Sequence, residues 1–291
     1  MNLWQQYVCP ASVSEAVQAL AAAPGAALPI AGGTDLMLDL AQGRHPPVHT
    51  IVDLTGIPEM TALEMRGDEL FIGAARPLTR IARDPLAVRH AQALVEACDL
   101  IAGPQVRNVA TLGGNAAHAL PAADGTVALT ALGAEVEIAN PAGTRRIPFT
   151  ALFLGPGKSV LKHGEDLIVG FFLPMTHDRQ ASAFKRIMRP QGVALPILNC
   201  ACYLERDGDT IGEVRIAVGP GGPTPFRATE AESALRGKPF DAATLSDALD
   251  ALLQQAKFRT SAQRATAEYR YHLVGGLLKD TLETAWERAR S

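Results

Sequence analysis

The sequence predicts a mixed α+β protein, two successive α/β lobes followed by a C-terminal α+β domain of antiparallel sheet and helices. Three observations carry this. Short apolar strands alternate with helical segments up to about residue 176. Two alternating stretches, 197–205 and 211–218, then flank the turn Arg206-Asp207-Gly208-Asp209, as an antiparallel hairpin requires. Beyond Pro223 and Pro225 come three helical stretches with no further strand. A chain of 291 residues, 47% of them hydrophobic, is long enough to bury several cores. The expected boundaries are 1–55 and 56–176 for the two lobes and 177–291 for the last domain.

The elements follow in order. Ser12 or Ser14 can cap a first helix with Glu15 in its first turn, running from Ala16 until Pro24-Gly25 stops it. Residues 27–31 form a strand that enters the turn Ala31-Gly32-Gly33-Thr34-Asp35-Leu36, 36–40 a helical turn, and 48–54 a strand. In the second lobe 70–74 is a strand, while 78–81 and 87–98 are helices. A hairpin joins 134–139 to 145–147 about Asn140-Pro141-Ala142-Gly143-Thr144, and 166–174 is a buried strand ending at proline. The last helices fall near 227–236, 242–256 and 261–289.

Composition excludes several function classes. The net charge is −3 and no basic run or basic helix face stands out, which argues against general nucleic-acid binding. Aromatic residues make up 5%, too few for a base-stacking platform. The uncharged stretch 16–34 contains Pro24, Gly25, Pro29, Gly32 and Gly33, which would leave backbone groups unpaired in lipid, so no membrane span is expected. The start Met1-Asn2-Leu3-Trp4-Gln5-Gln6 lacks a basic segment before an apolar one, and a soluble cytoplasmic chain is expected. Cys9, Cys98, Cys200 and Cys202 are too scattered for a disulfide framework. Cys200 and Cys202 share one strand face and read as buried apolar side chains, so no metal site and no iron–sulfur cluster is expected in this chain.

The chemistry concentrates in two glycine turns, Ala31 to Leu36 above and Ala110-Thr111-Leu112-Gly113-Gly114-Asn115. Paired glycines permit positive φ and lack Cβ, so successive N–H groups can converge on one anion. Two such turns suit the pyrophosphate of one long ligand. There is no G-x-G-x-x-G after the first strand and no Lys-Ser or Lys-Thr after either turn, which sets aside the Rossmann fingerprint and the P-loop. Either turn alone is equally an ordinary strand-to-helix connection.

The flanks of the second turn are more specific. They read Gly103-Pro104-Gln105-Val106-Arg107-Asn108-Val109 before it and Ala116-Ala117-His118-Ala119-Leu120-Pro121-Ala122-Ala123-Asp124 after it. Together with the first turn, this order resembles the flavin-binding medium subunit of the molybdenum hydroxylases, of the xanthine dehydrogenase and carbon monoxide dehydrogenase type. Ser182-Ala183-Phe184-Lys185 and Ala267-Glu268-Tyr269-Arg270-Tyr271-His272-Leu273 look like the same family, so the resemblance spans essentially the whole chain.

The resemblance implies an FAD-binding fold with FAD held between the two lobes. Pro29, Ile30, Ala31, Gly32, Gly33, Thr34, Asp35 and Leu36 would wrap the pyrophosphate, Thr34 adding its hydroxyl and Asp35 capping local N–H groups. Thr111, Leu112, Gly113, Gly114 and Asn115 would form the opposite clamp. Asp124 would take a polar group of the ribose or ribityl side, Ile101 and Ile168 would supply apolar wall, and Lys185 would reach the flavin end, where a cation can stabilise a reduced anionic flavin. Asp124 also reads as a helix cap and Lys185 as a solvated surface lysine; Arg107 and Asn108 read as loop braces and His118 as structural.

By the same resemblance, molybdopterin and 2Fe-2S clusters would reside in partner subunits, with FAD passing their electrons to an acceptor such as NAD and no catalytic residue in this chain. The cluster-bearing insertion of the 4-hydroxybenzoyl-CoA reductase branch is missing, since the second lobe has only Cys98. Arg189-Pro190-Gln191-Gly192-Val193-Ala194 departs from the commoner family sequences after the lysine. Two other classes stay open: a stand-alone FAD-dependent oxidase, and a non-catalytic nucleotide-binding assembly module.

Overall fold

Residues 2–189 and 195–290 are described by the computed structural model. The first lobe comprises β1 (Trp4–Val8), α1 (Val13–Ala21), β2 (Ala27–Ile30), α2 (Leu36–Ala41) and β3 (Val48–Asp53). Its strands are parallel in the order β1-β3-β2, with a helix in each crossover. Ser12 caps α1, its hydroxyl accepting from the Glu15 N–H at 3.2 Å. β1 was not expected, because its three central residues face solvent and show no apolar alternation. At the carboxyl end of the sheet Ile30 is paired with Asp53, and the first glycine turn starts there. Ligands of parallel sheets gather beyond this end. Asp53 itself is engaged at both oxygens, accepting from the Tyr7 hydroxyl at 2.7 Å and from the Thr55 N–H and hydroxyl at 2.8 and 2.7 Å. The Tyr7 phenol is pushed up to about 12 by its hydrogen bond to Asp53.

The second lobe begins with α3 (Pro58–Thr61), β4 (Leu63–Arg66) and β5 (Glu69–Gly73). Six helices follow: α4 (Leu78–Ala82), α5 (Pro85–His90), α6 (Gln92–Leu100), α7 (Pro104–Arg107), α8 (Leu112–Ala117) and α9 (Asp124–Ala131). Then come β6 (Glu135–Asn140), β7 (Gly143–Pro148), a 3-10 turn over Phe149–Leu152, β8 (Phe153–Gly155), β9 (Lys158–Ser159) and β10 (Leu167–Pro174). The main sheet is antiparallel, ordered β4-β5-β10-β6-β7. The single helix expected over 87–98 is two: Asp84 caps α5, Pro85 opens it, and Ala91 leaves helical backbone at φ −141°, ψ 45°. Every residue of α9 is buried, the condition of a helix covered on all sides.

The C-terminal domain holds β11 (Gln180–Met188), β12 (Pro196–Asp207), β13 (Thr210–Gly219), β14 (Phe226–Arg227), α10 (Thr229–Leu235), α11 (Ala242–Gln255) and α12 (Ala267–Arg288). Its antiparallel sheet runs in that strand order. Strand alternation divides β11 cleanly. Ala183, Lys185 and Ile187 stand opposite Cys202, Cys200 and Leu198, the face whose buried residues form one core with α10, α11 and α12. Ser182, Phe184 and Arg186 stand opposite Tyr203, Ala201 and Asn199. Phe184 and Ala201 join the core that runs beneath the first two lobes. The thiols of Cys200 and Cys202 are fully buried, and burial pushes Cys200 up to about 12. α12 begins at Ala267, where the Thr266 hydroxyl accepts from the Tyr269 N–H at 3.2 Å, six residues later than expected. Among the described residues no helix is long and apolar enough to cross a membrane.

Candidate functional site

The first turn is an open row of donors. The N–H groups of Gly32, Gly33, Thr34, Asp35 and Leu36 meet no acceptor among the described residues. Gly33 has φ +64°, a conformation that favours glycine, and a Cβ there would lie 2.8 Å from Ile30 Cδ1. Gly32 is glycine for a different reason. A Cβ on it would run into the Val109 carbonyl and stand 2.7 Å from Ala110 Cα. Asp35, expected to cap local N–H groups, makes no capping bond, and its own backbone is already helical at φ −93°, ψ −48°.

The second turn corrects the sequence reading more deeply. Gly113 and Gly114 do not adopt positive φ; they lie inside α8. Thr111 is the cap, extended at φ −119°, ψ 157°, its hydroxyl accepting from the Gly114 N–H at 3.2 Å. Gly113 donates its N–H to the Ala74 carbonyl at 2.9 Å, and a Cβ on it would sit 2.6 Å from Ala74 Cβ. It is small for packing. Gly114 is exposed, and a Cβ there would meet only the Thr111 hydroxyl, at 3.3 Å. The second jaw is therefore a capped helix start with one bare glycine face, where a convergent nest was expected. Ala102 (φ 50°) and Ala119 (φ 53°) bracket this segment in left-handed conformations that non-glycine residues rarely adopt. Arg107 braces the first, donating to the Ile101 and Ala102 carbonyls at 3.0 and 2.5 Å.

Asp124 is neither an open ligand nor a cap. Ala123 holds the cap position of α9, and both carboxylate oxygens of Asp124 are engaged. Oδ2 accepts from Arg186 at 2.5 Å and Oδ1 from the Asn199 amide at 2.7 Å. The pair is nearly closed to solvent, with side-chain exposures of 5% for Arg186 and 4% for Asp124. Burial pushes the Asp124 carboxyl up, against the opposing pull of Arg186 and Asn199. Asn199 also donates to the Ala122 carbonyl at 3.1 Å, so this network fastens the C-terminal sheet to the start of α9. Arg186 Nε, Asn199 Oδ1, Asn115 Oδ1 and Thr126 Oγ1 are buried around it without partners among the described residues.

The remaining expected residues divide. Pro29, Ala31, Thr34, Leu36, Ile101 and Asn115 are half-buried around the two turns, while Leu112 is fully buried beneath α8. Ile30 belongs to the small core of the first lobe. Ile168 lies within the larger core at 6% exposure, so it underlies the site where apolar wall was expected. Lys185, expected at the flavin end, is half-buried on the face of β11 opposite to that of Arg186, and Arg186 is the residue that pairs with Asp124. One step along a strand exchanges faces, and the sequence offered no register to choose between neighbours. Arg186 and Asn199 were missed because their partner lies 62 and 75 residues away. His118 is exposed, and residues 190–194, singled out in the sequence, lie outside the described residues.

The arrangement fits a dinucleotide: free N–H donors on one side, a bare glycine face on the other, and direct contact between the segments that carry them. Comparison with known proteins agrees. Residues 3–176 match the family described as FAD binding domain in molybdopterin dehydrogenase, and residues 182–285 the CO dehydrogenase flavoprotein C-terminal domain. The xanthine dehydrogenase FAD-binding subunit of Escherichia coli is 35% identical over 277 residues, 94% of either chain. The carbon monoxide dehydrogenase medium chain of Hydrogenophaga pseudoflava is 30% identical over 97% of each. A solved carbon monoxide dehydrogenase from that organism superposes with a TM-score of 0.91 at 29% identity, covering 99% of both chains. Quinoline 2-oxidoreductase from Pseudomonas putida gives 0.89 at 26% identity. The chain thus belongs to the FAD-binding medium subunits of the molybdenum hydroxylase family, an oxidoreductase flavoprotein family.

Proposed function

We propose that this chain holds FAD across its two glycine segments and passes electrons from iron–sulfur clusters of a partner subunit to an external acceptor such as NAD. The observation that carries the reading is the contact of Gly32 with Val109 and Ala110, which makes two distant segments one cradle. The free N–H groups of 32–36 would surround the pyrophosphate, replacing water around its charge. Gly114 would admit the cofactor where a side chain would stand in its way. The Arg186–Asp124 pair would fix the wall formed by α9 and keep a cation close to the site. When bound, FAD supplies the exchange between single electrons and a two-electron acceptor; the protein binds, orients and tunes it.

The proposed partners are a small iron–sulfur subunit and a large molybdenum-cofactor subunit, forming a heterotrimer. Relatives named as medium chains support this. We divide the chain into lobes 1–55 and 56–176 and a domain 177–291, the first two carrying one jaw each. Four unpaired cysteines suit a reducing compartment such as the cytoplasm.

The test is anaerobic stopped flow on the co-purified complex. Organic substrate should bleach the clusters first and the flavin after them, and NAD should then reoxidise the flavin. If the isolated chain turns over a small organic substrate without partners, it is a stand-alone oxidase instead.

A further inference from the structure

The connection between α11 and α12 is a firmly bonded loop that gathers positive charge. The Lys257 N–H donates to the Gly221 carbonyl at 2.8 Å, and the Tyr271 hydroxyl to the Ala256 carbonyl at 2.9 Å. Ser261 and Ala265 pair across the loop, and the Ala267 N–H donates to the Thr260 hydroxyl at 3.1 Å. Arg270 is 1% exposed; its guanidinium donates to the Arg259 carbonyl and, at 2.9 Å, to the Ile197 carbonyl. Segment 257–270 carries Lys257, Arg259, Arg264 and Arg270 against the single acid Glu268, in a chain whose net charge is −3. None of these five forms an ion pair among the described residues, and the side chains of Arg259 and Arg264 make no hydrogen bond there. Among the described residues ten of the other eighteen arginines pair with a carboxylate, whereas none of the three in the loop does.

Its place matters. Ile197 lies two residues from Asn199, which holds Asp124. Gly219, two residues before the carbonyl that anchors Lys257, is packed on α9, where a Cβ would stand 2.7 Å from Val127 Cγ2 and 3.0 Å from Ala122 Cα. The loop therefore borders the C-terminal side of the Asp124 wall. Arg264 is half-buried there. Burial and Arg259 push it down, and Asp124 is the acid that opposes them. Asp124, however, is already matched by Arg186 at 2.5 Å, so the loop's charge has no counterion of its own.

We propose that Arg259 and Arg264 form an anion subsite for the phosphate groups of a dinucleotide electron acceptor. This rests on the reading that the chain delivers electrons to an external acceptor. Two guanidinium forks on one hydrogen-bonded loop match a polyanion with several oxygens, and each can bind phosphate through paired N–H groups. The half-burial of Arg264 restricts its guanidinium, which suits a compact anion better than the flat acidic surface of a protein.

The test uses the FAD-loaded complex at low ionic strength under anaerobic conditions, with NADH as the reductant of the flavin and inorganic pyrophosphate as competitor. Arg264→Gln should raise the NADH KM and the pyrophosphate Kd by about tenfold each, with FAD content and the dithionite-reduced spectrum unchanged. Arg259→Gln should add to this, and the remote Lys238→Gln should change neither. Unchanged NADH KM in the Arg259→Gln/Arg264→Gln double variant would overturn the proposal. So would loss of FAD in step with loss of NADH, which would assign the arginines to the cofactor. Loss of subunit assembly at unchanged pyrophosphate affinity would assign them to a partner surface and overturn it as well. Wild-type complex that binds pyrophosphate in an Arg264-dependent way, yet is not reduced by NADH, would uphold the anion subsite and remove only NAD as the acceptor.

Discussion

Gly32 lies against the backbone of Val109, so close that no side chain fits between the first turn and the approach to the second. Gly32→Ala should therefore force the two segments apart, at a cost of about 1–3 kcal/mol, typical of overpacking. The expected result is a folded protein with a lowered denaturation midpoint that no longer retains FAD on a desalting column. Full flavin occupancy in that variant would show that the contact is not needed for the cradle.

Gly113 and Gly114 are adjacent but predict opposite outcomes. Gly113→Ala meets Ala74 at 2.6 Å and should destabilise the fold, by about 1–3 kcal/mol in urea unfolding. Gly114→Val adds a Cβ that meets only the Thr111 hydroxyl, at 3.3 Å, so it should change unfolding much less than Gly113→Ala while abolishing FAD retention. Gly33→Val, at φ +64°, should lose both. Equal behaviour of the Gly113 and Gly114 variants would contradict the helical geometry of α8.

Arg186→Met leaves Asp124 buried beside Asn199 without its cation, a change that costs about 3–5 kcal/mol in comparable buried pairs. The deficit should depend on pH with a definite sign. Burial already raises the Asp124 carboxyl, and removing Arg186 raises it further. A carboxyl whose folded value exceeds its unfolded value favours the folded state as pH falls, and loses that contribution as pH rises through the folded value. Arg186→Met should thus be closer to wild type at pH 5 than at pH 8. A deficit that grows towards acid would exclude this account of the pair.

Glu96 ties the second lobe to the C-terminal domain at a separate point. Its Oε2 accepts from the Phe184 N–H at 2.8 Å and its Oε1 from Arg288 of α12 at 2.5 Å. Glu96→Ala strands a buried N–H and should cost about 1–3 kcal/mol. Hydrogen exchange should then speed up along β11 ahead of β12, the inner strand. Uniform acceleration across the sheet would mean that Glu96 does not act locally.

Legibility from sequence followed the range of the interactions. The strands of 27–31, 48–54 and 166–174 and the 197–218 hairpin could be read because apolar pattern and turn residues are local. β11 could not: Gln-Ala-Ser-Ala-Phe-Lys-Arg-Ile-Met serves two different cores from its two faces, so no alternation of apolar and polar survives. Both glycine pairs were picked out by sequence, but only Gly33 has positive φ, and Gly113 and Gly114 lie inside α8. Gly113 answers to Ala74, which is not encoded nearby, and Gly114 lies on an exposed face with only the Thr111 hydroxyl beside it. Asp124 was singled out, while its partners were not, since pairing across 62 and 75 residues leaves no local trace.

The most direct test of the FAD cradle is the cofactor content of the purified chain. Heat-released supernatant analysed by HPLC should contain FAD at close to one equivalent, and the protein should be yellow before release. Colourless protein that takes up no flavin on incubation with FAD would contradict the cradle.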